Sequence, residues 1–286
     1  MSKIQPLGII ATLLSCLILI AGCSREKDSK TPVQDGIVSL APSITELLFA
    51  LNLEQRIVGV TTACDFPEAA KSLPQVGSFM NINREAVLAS GATWVIGVSG
   101  GLPDSEVAKL ESSGIRVLLL KSGTISETME AITQLGSSLQ IEAKASAFRT
   151  ALEASLKPSP AQKIGVRPTG IIVLSTKPLM VAGPNTFVGE LLELAGLENA
   201  VGTSPVDYPS WDKEALLKAN PDWIIYAMMK GDVPSKKNEV WAPLPAVIEG
   251  RTRSIHPDVL LRPGPRMAEG VKLIREAVSQ MGGEQE

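Results

Sequence analysis

Along the chain, short apolar runs alternate with segments whose apolar residues recur every three or four positions. Ile57–Val60, Trp94–Val98, Val117–Leu120, Ile171–Leu174, Trp223–Tyr226 and Arg253–Ile255 read as strands, after a first run at Ile37, Val38 and Leu40. Helical patterns fall between them, at Asn83–Ser90, Ser105–Ser113, Ser126–Leu139, Thr186–Ala195, Asp212–Ala219 and Pro265–Met281. This rhythm predicts an α/β fold of parallel sheets with flanking helices. The first strand-to-helix turn lies in "SLAPSITELLFAL", residues 39–51. Ser43 stands where an N-cap is expected and Glu46 follows three residues later, the spacing of a capping box. The turn has none of the glycines that let a pyrophosphate approach a backbone, so a dinucleotide is not its ligand.

The middle of the chain carries a different pattern. Residues 141–157 are rich in Ala, Glu, Lys and Leu, with Phe148, Leu152 and Leu156 on one face, and end at Pro158 and Pro160. A helix of that length would run ~25 Å, enough to bridge two lobes; one more surface helix of a single domain is the plainer alternative. An internal repeat favours two lobes. "REAVLASGATWVI" at 84–96 recurs as "KEALLKANPDWII" at 213–225, and the same offset of 129 pairs Phe79 with Tyr208. "APSITELL" at 41–48 recurs, with two residues inserted, as "GPNTFVGELL" at 183–192. Glu85 and Glu214 then occupy equivalent first turns of two helices, where capping and the helix dipole alone would also suit an acid. Phe79 and Tyr208 fall on equivalent loops at the sheet ends, where α/β ligand crevices form; burial in the core is the alternative for both.

Composition narrows the setting. After Lys3, an almost unbroken apolar stretch from Leu7 to Gly22 ends in "ILIAGC". A charged start, an apolar segment shorter than the ~20 residues of a membrane span, and small residues before Cys23 resemble a bacterial lipoprotein signal. On that reading 1–22 is the signal peptide, Cys23 the lipidation site and 23–35 a flexible tether. The 264 residues that remain carry 26 Lys and Arg against 30 Asp and Glu, so no basic face for nucleic acid is expected. Cys64 is the one cysteine left, and His256 is the only histidine, which excludes disulfides, zinc-ligand spacing and sites built from several imidazoles. No P-loop occurs.

Six segments in order carry a family resemblance: "VSLAPSITELLFAL", "IVGVTTACDFPEAAKSLPQVG", "NINREAVLASGATWVI", "VAGPNTFVGELLELAGLENAV", "YPSWDKEALLKANPDWII" and "RPGPRMAEGV". Together they resemble the ABC-transporter substrate-binding proteins with a helical backbone, and among these the vitamin B12-binding branch, whose neighbours bind ferric siderophores and haem. The resemblance implies two Rossmann-like lobes of parallel or mixed sheet, an N-terminal lobe over 36–140 and a C-terminal lobe over 158–286, joined by one long backbone helix over 141–157. The ligand cleft lies between the lobes. It places Phe66, Phe79, Tyr208 and Arg266 around the ligand, and Glu85 and Glu214 against arginines of two permease subunits. Phe66 and Phe79 stand where the B12-binding branch carries Tyr and Trp, Tyr208 where it carries Trp, and Val98 where it carries another Trp, so this pocket is less aromatic.

The function so implied is that of a lipid-anchored binding protein in the periplasm or cell envelope, not an enzyme, working as a monomer. Its partners are an ABC permease dimer with ATPase subunits, its membrane contact is the lipid anchor alone, and it needs no cofactor or resident metal. A cobalt corrinoid ranks first as ligand because it brings its own metal ligands and asks only for shape and stacking. Haem wants an axial Tyr or His, for which Tyr208, Tyr226 and His256 are the candidates; a ferric siderophore wants cations, for which Arg262 and Arg266 are. Two other classes compete. A thiol enzyme using Cys64 and His256, or a tetrapyrrole chelatase, would need groups that nothing in the sequence brings together. A sensor lipoprotein would have no use for the paired glutamates.

Overall fold

The computed structural model describes residues 35–157, 167–234 and 237–279. The expected signal peptide over 1–22, and the expected tether over 23–35 except Asp35, lie outside them.

The first lobe is a parallel sheet. Strands β1 (Ile37–Ser39), β2 (Ile57–Val60), β3 (Trp94–Val98) and β4 (Arg116–Leu120) lie in the order β2-β1-β3-β4, with helices α1 (Pro42–Ala50), α2 (Arg84–Ala89) and α3 (Asp104–Ser112) between them in sequence. After β4 the chain makes a helical pair, α4 (Ile125–Ser138) and α5 (Glu142–Leu156). They approach closely because position 136 is glycine, where a Cβ would come within 2.7 Å of the Ala145 methyl. The expected linking helix is thus α5, 15 residues and ~22 Å long. Arg56 of the first lobe holds the Leu139 carbonyl at its start, and Arg275 of the second lobe holds the Lys157 carbonyl at its end.

The second lobe is mixed. It contains β5 (Thr169–Thr176), β6 (Leu179–Val181), α6 (Phe187–Leu194), β7 (Glu198–Asn199), β8 (Ser210–Trp211), α7 (Lys213–Ala219) and β9 (Trp223–Ala227). Then come α8 (Pro245–Ile248), β10 (Thr252–Ile255), α9 (Pro257–Leu260) and α10 (Met267–Ser279). The sheet order is β10-β9-β5-β6-β8, with β7 also on β5. β9 runs parallel to β5 and β10 parallel to β9, while β6 is antiparallel to β5 and β8 antiparallel to β6. Every residue of β9 is buried, as expected of a strand covered on both faces.

The repeat is structural. β3 and β9 begin and end 129 residues apart, and so do the starts of α2 and α7. Their caps match too: the Asn83 side chain accepts from the Ala86 amide and the Asp212 side chain from the Ala215 amide.

The two lobes share one continuous apolar core. Ile44, Leu47 and Leu48 of α1 and Ile132 and Leu135 of α4 belong to the same buried cluster as Phe187 and Leu191 of α6 and Met267 and Val271 of α10. Polar clasps cross the junction as well. Phe187 N–H donates to the Gly123 carbonyl at 2.6 Å, and Ile125 N–H, at the start of α4, donates to Glu190 Oε2 at 2.5 Å. Burial, the main influence on it, pushes the Glu190 carboxyl above its ordinary range.

The third clasp corrects an expectation. Ser43 is not an N-cap: α1 starts at Pro42, its N-cap is Ala41, and no side chain closes it. Proline at the first helical position has no amide to satisfy and is pre-set for the turn. Glu46, freed from capping, is buried and reaches the other lobe. Arg266 meets it in a bidentate pair, Nε to Oε2 at 2.8 Å and Nη2 to Oε1 at 2.6 Å, with 1 % of the Glu46 side chain exposed. Such a pair adds little net stability over an apolar one, but removing one partner strands a buried charge at a cost of ~3–5 kcal/mol. Glu46→Ala is therefore expected to lose about 3 kcal/mol of unfolding free energy in urea titration. The double variant Glu46→Leu/Arg266→Met should recover most of that loss; a loss under about 1 kcal/mol would show that the pair does not hold the junction.

Candidate functional site

A cavity of about 330 Å³ opens between the lobes. The first lobe supplies Ala41, Pro42 and Ser43 after β1, Ala63 after β2, Val98 at the end of β3 and Ser122 after β4, all at carboxyl ends of parallel strands. That is where α/β sheets leave a crevice, because the chain turns away there into its helices. The second lobe closes it with Leu261, Arg262 and Pro263, from the turn between α9 and α10.

Of the four expected ligand residues, Phe79 lies in the cavity wall and is half-buried. Phe66 is 43 % exposed, and the Arg266 guanidinium lies 4.2 Å over its ring. Tyr208 is outside the cavity. Burial pushes its hydroxyl up, and the Thr186 hydroxyl, the cap of α6, lies near enough to act the other way. Thr186 precedes the Phe187 amide that binds Gly123, one residue from Ser122 in the cavity wall. Tyr208 thus stands on the second-lobe side of the same junction, 39 % exposed. Phe79 and Tyr208, equivalent in the repeat, are not equivalent in burial.

Arg266 is not a free cation facing a ligand. Glu46 occupies the Nε–Nη2 edge of its guanidinium and Phe66 lies against its face. Its charge is offset by a buried carboxylate, with 14 % of the Arg266 side chain exposed. Arg262, which does line the cavity, is equally engaged. It contacts Asp65 at 2.6 Å, Asp258 at 2.9 Å and Glu46 at 3.4 Å, with 15 % of its side chain exposed. Its hydrogen bond holds the Asp65 carboxyl below the usual carboxylate range. Two cations thus face three carboxylates, Glu46, Asp65 and Asp258. The sequence hid this network because its members are 197 and 220 residues apart in the chain. The one local signal was the four-residue spacing of Arg262 and Arg266 on the turn into α10.

The other candidates for metal contact separate clearly. Tyr226 is 2 % exposed, packed edge-on against Trp241 in the second-lobe core, and burial pushes its hydroxyl up. His256 caps α9, accepting from the Asp258 amide at Nδ1, and lines a different cavity with Leu273 and Glu276. Cys64 is buried, with its sulfur 3.2 Å from the Thr61 hydroxyl and not near His256 in any contact. Among the described residues no group of three or more His, Cys, Asp or Glu is placed to hold a metal ion. Among the same residues no helix is long and apolar enough to cross a membrane.

Glu85 and Glu214 lie in the first turns of α2 and α7, both exposed. Neither has a hydrogen-bond or ion-pair partner among the described residues. They lie outside the cavity.

Comparison with known proteins agrees with this architecture. The chain is 30 % identical, over 95 % of its length and 96 % of the relative's, to the uncharacterised ABC transporter substrate-binding lipoprotein YvrC of Bacillus subtilis. It is 29 % identical to the vitamin B12-binding protein of Salmonella typhi, over 86 % of this chain and 90 % of that one. A periplasmic haem-binding protein from Pseudomonas aeruginosa superposes with a TM-score of 0.73 at 27 % identity, covering 85 % of this chain and 92 % of that one. Residues 37–259 match the model of the periplasmic binding protein family, and the chain belongs to that family.

Proposed function

We propose that this ABC-importer binding protein captures a corrinoid in the interlobe cavity, with Phe79, Phe66 and Tyr208 as its aromatic contacts, and delivers it to the permease. The observation that carries the choice of ligand is the quenching of both cleft arginines by Glu46, Asp65 and Asp258. An anionic ligand gains nothing from cations already paired, and it would meet the surplus carboxylate. A corrinoid rimmed with neutral amides meets no such charge penalty. Flat apolar surface against Phe79 adds stacking, ~0.5–1.5 kcal/mol per aromatic pair beyond area burial. A macrocycle exceeds a 330 Å³ cavity, so its outer part would extend past the half-exposed Leu261 of the cavity wall.

Haem is the second reading, favoured by the likeness to the Pseudomonas aeruginosa haem-binding protein. Tyr208 is the more exposed of the two tyrosines, but the burial that raises its hydroxyl disfavours the phenolate an iron would bind. A ferric siderophore comes third, for want of a free cation. The same proposal assigns Glu85 and Glu214 to the permease, and Cys23 to a lipid anchor, supported by the lipoprotein name of the Bacillus subtilis relative.

Absorbance titration with cyanocobalamin, haemin and a set of ferric siderophores tests the ligand. Cyanocobalamin should bind one to one, and Phe79→Ala should weaken it by ~1–3 kcal/mol while leaving the fold intact, Tyr208→Ala by less. Tighter binding of haemin, lost in Tyr208→Phe, would select the second reading. For the anchor, Cys23→Ser should release the protein from membranes or leave it unprocessed. Normal processing with unchanged membrane association would remove Cys23 from that role.

A further inference from the structure

Two exposed leucines repeat with the two glutamates. Leu88 is 43 % exposed and Leu217 is 37 % exposed, and they too stand 129 residues apart. Each follows its glutamate by three positions within the same helix, Glu85 and Leu88 on α2, Glu214 and Leu217 on α7. Residues so spaced share one helix face. Single exposed leucines are ordinary on protein surfaces and need no explanation. A pair at the same exposed position of two duplicated helices, each beside a carboxylate that has no partner among the described residues, is a different observation. The neighbouring positions Val87 and Leu216 are fully buried, so each helix already has its core residue.

We propose that Leu88 and Leu217 are apolar anchors of the permease-docking face, each seated in a socket beside a cation. This rests on the reading that Glu85 and Glu214 meet the permease, and it adds what that reading lacks. Two exposed ion pairs are individually weak and are screened by salt. Burial of a leucine is not screened and supplies the salt-independent part of the affinity. The occupant is a pair of like membrane subunits, each offering a guanidinium or ammonium next to an apolar depression. Complementarity to the unpaired carboxylates requires the cation, and the duplicated helix face requires the same chemistry twice.

The test measures binding of the full-length protein to the importer's permease–ATPase complex in nanodiscs, at low and at high salt. Leu88→Ser/Leu217→Ser should bind about tenfold more weakly at both salt concentrations with an unchanged melting temperature. Leu88→Met/Leu217→Met should bind like the wild type. Glu85→Ala/Glu214→Ala should instead lose most of the salt dependence. Normal binding by the serine pair, beside weakened binding by the alanine pair, overturns this inference and leaves the glutamate reading standing. Wild-type binding by both pairs removes the docking reading itself. If sedimentation shows the wild type self-associating and the serine pair monomeric, the leucines cover a second copy of this chain, and the inference falls.

Discussion

A buried carboxylate must find a cation, and the Glu46–Arg266 pair meets that demand across the junction of the two lobes. Glu46 leaves the first lobe's opening helix and Arg266 comes from the turn into the last helix, 220 residues away. The charge of neither can be left alone in so dry a place without several kcal/mol of penalty. The pair therefore fixes the turn at 261–266 against α1, and that turn is the second-lobe wall of the cavity. It also fixes Phe66, through the guanidinium stacked on its ring. The charge balance beside the cavity follows from the same bond, because Glu46 offsets the charge of Arg266.

Duplication explains the outline of the molecule, and divergence explains its site. The repeated "APSITELL" and "GPNTFVGELL" segments each hold a glutamate that reaches into the opposite lobe, but by different chemistry. Glu46 takes a guanidinium, whereas Glu190 takes the first amide of α4. One clasp is a charge pair with a bidentate fork, the other a carboxylate at a helix N-terminus. The exposed halves of the repeat diverged less: cap, glutamate and leucine keep their positions on α2 and α7. Phe79 and Tyr208, on the loops ahead of those helices, differ in both residue type and exposure.

Much of this was legible along the chain because it is local. The apolar runs at 57–60 and 94–98 are β2 and β3 at both ends, and the helical patterns lie within one or two residues of α2, α3, α4, α6 and α7. The antiparallel hairpin of β5 and β6 was not, since β6 is three residues of apolar chain with no period of its own. The capping box at Ser43 and Glu46 misled for a physical reason. Spacing shows that two side chains can meet, but Pro42 moved the helix start and a distant arginine offered the carboxylate a stronger partner. The aromatic residues could be named from the repeat, yet their burial depends on loops that the repeat does not share.

One shared core, three clasps and a connecting helix should hold the lobes at one separation, loaded or empty. Spin labels at Glu111→Cys on α3 and Lys218→Cys on α7, in a Cys23→Ser background, report that separation by pulsed electron resonance. Both positions are exposed, and Cys64 is buried. Lobes so held give a single narrow distance distribution that saturating cyanocobalamin leaves within ~1 Å, the range of pre-organised complexes. A second population in the empty protein, or a shift beyond ~2 Å on loading, would show lobes that open and close and would contradict it.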